Sequence, residues 1–327
     1  MPSIEMVVPS DPKIDDFDIL QTSYKYVKDH GIRCDILVPK ARHEGKRPVI
    51  VNFHGGGLVV GDSLLMFIWP VWLSELALEH GAIIISPNYR LMPEATSTEI
   101  YEDVDDFWDW IHTPELANLL QKHSTPAELD LDRIMAIGGS AGGTLSLYLA
   151  LAHPTEIRSV TAAYPCTDFM TSAYTEPRGG PVWGQNVPES VYHDIMNTAD
   201  IGAPVSSIVS PERSAFMIAC IQHGHLGALY ARGAENTPHE KLFPIARLEQ
   251  SGGTVPRGGV VIIQGRQDSV IPIAETENFV KRALELTPPG DIVYVTQEGE
   301  HGFDLNSRLK DHWLQEALGK AFETWLE

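Results

Sequence analysis

The residues best suited to covalent chemistry in this chain are Gly138-Gly139-Ser140-Ala141-Gly142, a serine enclosed by glycines. An apolar run at 134–137 precedes them and an Ala- and Leu-rich helical stretch, Ala141–Ala152, follows. This is the strand-turn-helix setting in which a G-x-S-x-G serine sits on a sharp turn as a nucleophile. The turn also puts Ser140 at a helix N-terminus, where the peptide dipoles favour developing negative charge. A second glycine cluster, His54-Gly55-Gly56-Gly57, directly follows the apolar run 49–53. Glycines let backbone N–H groups approach a substrate closely, which an oxyanion needs, and Ala141 after the serine supplies a further donor. His54 reads as a support of that loop rather than as a base.

A serine nucleophile needs a base, and the chain order serine, acid, histidine directs the search downstream. His301, in Gly299-Glu300-His301-Gly302-Phe303, leaves the strand-like run 292–295 and precedes the last helix. His239 and His312 follow no buried strand, and the close pair His223 and His225 lacks further ligands for a metal. For the acid that fixes the imidazole, Asp268 leaves the run 260–263 and is favoured, while Asp168 leaves the run 161–164 and is its rival.

These groups must be held by a frame. Short β-branched runs alternate with longer helical patterns, the mark of a mostly parallel sheet covered on both faces, hence an α/β protein. Residues 24–27 and 33–38 flank the turn 29–31 as an antiparallel pair, and 49–53 and 83–86 read as strands buried on both faces. Thr96 and Glu99 fit a capping box, followed by a stripe of Ile100, Val104, Phe107, Trp108 and Ile111, with Glu102, Asp103, Asp105 and Asp106 expected to face away. A helix is expected over 274–286, and another along Trp313, Leu314, Ala317, Leu318, Ala321, Phe322 and Trp325. Between 171 and 253 the rhythm breaks into Pro- and Gly-punctuated helical fragments, so residues 1–170 and 254–327 read as the catalytic core and 171–253 as an inserted cap. Trp183, Tyr192, Phe216, Met217 and Ile221 are placed to roof a pocket there, with Leu58 and Val59 beside the glycine loop as substrate contacts.

With 327 residues, 43% hydrophobic and 21% charged, the composition is that of a globular protein and excludes disorder, collagen and coiled coil. A net charge of −20 repels polyanions and anionic membrane surfaces, so nucleic acid is an unfavourable partner. Three widely spaced cysteines, Cys34, Cys166 and Cys220, suit a reducing compartment better than a disulfide framework. Residues 1–16 lack the pattern of a targeting segment, and the longest apolar stretch, 64–73, is too short to span a bilayer, so the expectation is a cytoplasmic protein without stable membrane insertion.

Taken together, His54-Gly55-Gly56-Gly57, Pro87-Asn88-Tyr89-Arg90-Leu91-Met92-Pro93-Glu94, Gly138-Gly139-Ser140-Ala141-Gly142-Gly143 and the Asp268 and His301 loops make the chain similar to the hormone-sensitive-lipase-like branch of the α/β-hydrolases. The resemblance runs from about Arg47 to the C-terminus. It implies an α/β-hydrolase fold with an eight-stranded sheet flanked by helices, a helical cap, no metal or organic cofactor, and hydrolysis of carboxylic esters. It further implies Ser140 as nucleophile, Asp268 as acid, His301 as base, and Gly56, Gly57 and Ala141 as oxyanion donors, with 88–94 as a structural tie. Three departures stand out: Gly139 where the family commonly has aspartate, Asp268-Ser269-Val270 where it usually reads Asp-Pro-Leu, and a short N-terminal part of the cap. Serine carboxylester hydrolysis through an acyl-enzyme, on a small to medium and mostly apolar ester, is the expected activity. Lactone, thioester or amide hydrolysis, acyl transfer and a non-catalytic ligand receptor remain as alternatives, and a homodimer is compatible with the sequence.

Overall fold

The computed structural model describes residues 8–327, so part of the N-terminal stretch read for a targeting signal lies outside the described residues. Strands β1 (Phe17–Val27) and β2 (His30–Pro39) form a hairpin, followed by β3 (Arg47–Phe53), helix α1 (Val71–His80) and β4 (Ile83–Pro87). Helices α2 (Ser97–Ile111) and α3 (Pro114–Gln121) lead to β5 (Leu129–Gly139), α4 (Ala141–Ala152) and β6 (Ile157–Ala163). Six short helices come next: α5 (Ser172–Thr175), α6 (Ser190–Thr198), α7 (Pro211–Gln222), α8 (Leu226–Ala231), α9 (His239–Leu242) and α10 (Pro244–Gln250). The chain then finishes β7 (Val260–Gly265), α11 (Ile273–Leu286), β8 (Ile292–Gln297) and α12 (His312–Leu326).

The strands make one eight-stranded sheet in the order β1-β2-β4-β3-β5-β6-β7-β8. Pairing is antiparallel for β1 with β2 and β2 with β4, and parallel from β4 onward. The hairpin is longer than its apolar residues suggest, and its turn is tighter, because His30 and Gly31 already pair in β2 and Lys28 turns the chain at a φ of 55°. Alternate strand residues feed two cores. Val49, Val51 and Phe53 pack beneath α2 and α4, while Ile50, Met135, Ile137 and Ile263 pack beneath α1 and α12. Burial on both faces explains why these runs are apolar throughout.

Helix α2 starts at the capping box foreseen: Thr96 accepts from Glu99 N–H and Glu99 accepts from Thr96 N–H. One residue of its acidic run does not face solvent. Asp103 is fully buried and accepts from Arg90 N–H, from the Arg90 guanidinium at 2.8 Å and from Lys25 Nζ at 2.7 Å. The physical reason is its position, three residues after Ile100 and four before Phe107, which is on the apolar stripe itself. Buried there, its charge needs these cationic partners, and they anchor the turn after β4 to α2.

The segment between β6 and β7 divides by what it packs on. Helix α10 lies against α4 and α11 in the helical layer, whereas residues 174–226 reach over the carboxyl ends of the strands. Arg213 on α7 ties this segment to the frame. Its guanidinium donates to Glu94, at 3.1 Å on Oε1, and to the carbonyls of Val59 and Met92 at 2.9 and 3.1 Å, all buried. The Asn88–Glu94 stretch thus joins the sheet to α2 on one side and to α7 on the other.

Candidate active site

Ser140 stands between β5 and α4 with φ 58° and ψ −128°, a left-handed backbone that costs a non-glycine residue on the order of 1–3 kcal/mol. The surrounding glycines make the turn possible. A Cβ at Gly142 would lie 2.0 Å from the carbonyl oxygen of Phe53, so only glycine lets the start of α4 pass so close to β3. Gly139, at the position where an aspartate was anticipated, faces the ring of Tyr164. A Cβ there would already lie 3.2 Å from that ring, so the aromatic side chain occupies the space a larger residue would need.

The oxyanion-loop candidates follow β3. Gly56 has φ 111°, and a Cβ on it would fall 1.8 Å from the Val60 carbonyl oxygen. The turn closes through Val59 and Val60 N–H on the Gly56 carbonyl, at 3.0 and 3.1 Å, which leaves those of Gly56 and Gly57 outside this pair of bonds. Leu58 and Val59 do not reach the cavity. Both are fully buried in the core, since the chain turns inward after Gly57, and the residue that lines the cavity is Val60.

His54 is buried under this loop with its ring stacked on Tyr89 at 4.3 Å. Its Nδ1 is 2.8 Å from the Gly55 carbonyl, so the proton resides on Nδ1 and the ring is the support expected of it. Burial pushes its pKa down to about 4. Between that value and the unfolded one of about 6.5, the unfolded chain binds a proton that the folded chain refuses, so acidification destabilises the fold. Wild type should lose about 2 kcal/mol from this group between pH 7 and pH 5, a slope that His54→Gln should lack. Denaturant titrations of both proteins at the two pH values check this, and equal slopes would refute it.

Downstream, the loops after β7 and β8 bring Asp268 and His301 together, with His301 Nδ1 2.9 Å from Asp268 Oδ2. Asp268 is oriented by Val270 and Ile271 N–H on Oδ1, at 2.9 and 2.8 Å, and by Gln264 Nε2 on Oδ2 at 2.9 Å. Asp168 is elsewhere: its Oδ1 accepts from Met170 N–H at 2.7 Å, the local role of a turn aspartate. Of the two histidines weighed for a metal, His223 bonds to the Val187 carbonyl and His225 to Glu189, and among the described residues no group of His, Cys, Asp and Glu could hold a metal ion.

Ser140, His301, Gly56, Gly57 and Ala141 share one cavity of about 370 Å³. From the inserted segment Trp183, Met217 and Ile221 line it; Tyr192 and Phe216 do not, because they stack on each other at 5.9 Å within that segment. The sequence reading missed a buried carboxyl, Asp304, that lines the same cavity as His301. Asp304 accepts from Tyr164 Oη and Trp72 Nε1, both at 2.9 Å, and the Tyr164 ring packs 4.5 Å from that of His301. Burial holds the Asp304 carboxyl above the usual carboxylate range. Its only sequence signal is its place three residues after His301. The cysteines are free and buried, with burial raising all three thiols.

No helix among the described residues is long and apolar enough to cross a membrane. The chain is 31% identical over 328 residues to a probable carboxylesterase, M8, of a Phoma species, covering 98% of this chain and all of that one. It is 39% identical over 210 residues to the probable carboxylesterase clz11 of Cochliobolus lunatus, covering 62% of this chain and 93% of the relative. Among solved structures, a Rhizomucor miehei esterase superposes with a TM-score of 0.63 at 20% identity, over 97% of this chain and 87% of the other. A family model described as alpha/beta hydrolase fold matches residues 50–236. With the eight-stranded sheet, the serine elbow and these relatives in agreement, the chain belongs to the α/β-hydrolase-fold family, in the branch that resembles hormone-sensitive lipase.

Proposed function

We propose that the protein is a serine carboxylester hydrolase acting through an acyl-enzyme on small to medium, mostly apolar esters. The observation that carries the reading is the Asp268–His301 hydrogen bond on the same cavity as the strained Ser140. Ser140 Oγ attacks the ester carbonyl while His301 takes its proton through Nε2, and the Nδ1–H is held by Asp268. Ser140 and His301 line the same cavity, and a nucleophile–base hydrogen bond is of the kind that often forms fully only when substrate is bound. The oxyanion forms against the N–H groups of Gly56, Gly57 and Ala141, the alcohol leaves with the proton from His301, and water releases the acyl group by the same route. The carboxylesterase names of the relatives support an ester over other acyl substrates. Buried free thiols and a charge of −20 suit a cytoplasmic enzyme that meets neither nucleic acid nor anionic membranes.

The substrate reading is tested with p-nitrophenyl esters of graded chain length, an aryl amide and a thioester. Short and medium esters should be turned over fastest, and a fluorophosphonate should label Ser140. Labelling with faster thioester turnover would move the protein to acyl-carrier chemistry. Ligand binding without labelling or turnover would make it a receptor.

A further inference from the structure

Glu300 Oε1 accepts two backbone N–H groups, from Ser269 at 2.6 Å and from His301 at 2.9 Å. One carboxylate oxygen therefore ties the residue after the acid to the base itself. Gln267 adds a second tie between the same loops, its Oε1 accepting from Gly299 N–H at 2.5 Å. On the other side, Ser269 Oγ accepts from Trp183 N–H at 2.8 Å, and Arg178 Nη1 donates to the carbonyls of Ser269 and Val270 at 2.7 and 3.0 Å. The inserted segment is thus fastened to the acid loop through residues 178 and 183. A proline at 269, the residue anticipated from the family resemblance, would have neither the N–H nor the hydroxyl that these bonds use.

The fastening fixes a side chain beside the reacting groups. Trp183 is held at a φ of 50°, unusual for a large residue, and its ring stands edge-on to the His301 imidazole at 5.9 Å. Phe67, from the short turn Met66–Ile68, lies 5.9 Å from that indole. In the hydrolytic reading, on which this inference rests, His301 hands its proton to the departing alcohol, so the alcohol part of the substrate lies on the imidazole's side. We propose that Ser269 and Glu300 are positioning residues that hold Asp268, His301 and the Trp183 turn as one unit, and that Trp183 with Phe67 forms an aromatic slot selecting esters of aromatic alcohols.

Glu300→Ala removes the shared acceptor, and small misplacements of a base are costly, so kcat should fall roughly 10- to 100-fold with KM changed much less. Glu300→Gln keeps an oxygen able to accept both N–H groups and should recover activity to within about threefold. Ser269→Ala frees the Trp183 turn and should reduce the preference for phenyl acetate over ethyl acetate by about tenfold. A readout independent of turnover is the downfield proton signal of the His301 Nδ1–H···Asp268 bond. It should broaden or vanish in Glu300→Ala and return in Glu300→Gln. The proposal is overturned if Glu300→Ala keeps wild-type kcat and the downfield signal, if Glu300→Gln behaves as Glu300→Ala does, or if Ser269→Ala keeps the phenyl preference. Failure of the hydrolytic reading looks different: wild type would neither label with a fluorophosphonate nor hydrolyse any ester, while the proton signal still reports on the clamp.

Discussion

Replacing Ser140 with alanine should lower kcat by roughly 10⁴- to 10⁶-fold, because the members of a nucleophile-base-acid unit fail together once one is missing. The fold should survive. Ser140 N–H keeps its 2.9 Å bond to the Ala163 carbonyl, and alanine meets the same left-handed backbone as serine does. Glycine at 140 should go further and raise unfolding stability by roughly 1 kcal/mol, since it adopts positive φ without strain. Inactivity paired with a gain in stability is the expected signature of strain kept for chemistry. Single-turnover and steady-state kinetics of both variants, with melting curves alongside, decide the matter. Ester hydrolysis within about tenfold of wild type in the alanine variant would rule Ser140 out as nucleophile.

The sheet was legible in the sequence because its central strands are buried on both faces and read as unbroken apolar runs between turns. What escaped was less regular. Helix α1 buries Trp72, Leu73, Ser74, Leu76 and Ala77, which wrap much of its circumference, so no polar stripe marks it as a helix. Strand β1 is half-buried and carries polar residues, which hid its first seven residues. Asp103 was misplaced because a carboxylate reads as exposed until its cationic partners are known, and those stand 13 and 78 residues away.

The candidate site shows the same division between local and distant signals. The elbow, the glycine loop and the two late loops are each written in a few consecutive residues, since a strand end followed by a turn is a local structure. Leu58 and Val59 went wrong for the converse reason: adjacency to the glycine loop says nothing of which way the chain turns after it. The clamp could not be read at all. Glu300 meets Ser269 across 31 residues and Ser269 meets Trp183 across 86, and nothing in composition or periodicity pairs them. Ser269 did leave a trace as a departure from the family pattern, and the bonds it makes give that departure a physical meaning.

The choice between two aspartates yields the second large effect. Asp268→Asn should reduce kcat by on the order of 10⁴-fold, because asparagine offers an amide where the imidazole N–H needs an acceptor and stabilises the imidazolium poorly. The amide would face a further conflict. Asp268 Oδ2 already accepts from Gln264 Nε2, and Oδ1 from Val270 and Ile271 N–H, so an NH₂ at either position points a donor at a donor. The variant should therefore lose some stability as well as activity, and Asp268→Ala, which removes that clash, separates the two effects. Asp168→Asn is the control. Its amide oxygen can still accept the Met170 N–H, so kcat should stay within about twofold of wild type. Rate measurements on the three variants with one p-nitrophenyl ester suffice. If Asp168→Asn is the inactive one, the acid comes from the loop after β6, and the 2.9 Å contact between His301 and Asp268 has no part in the chemistry.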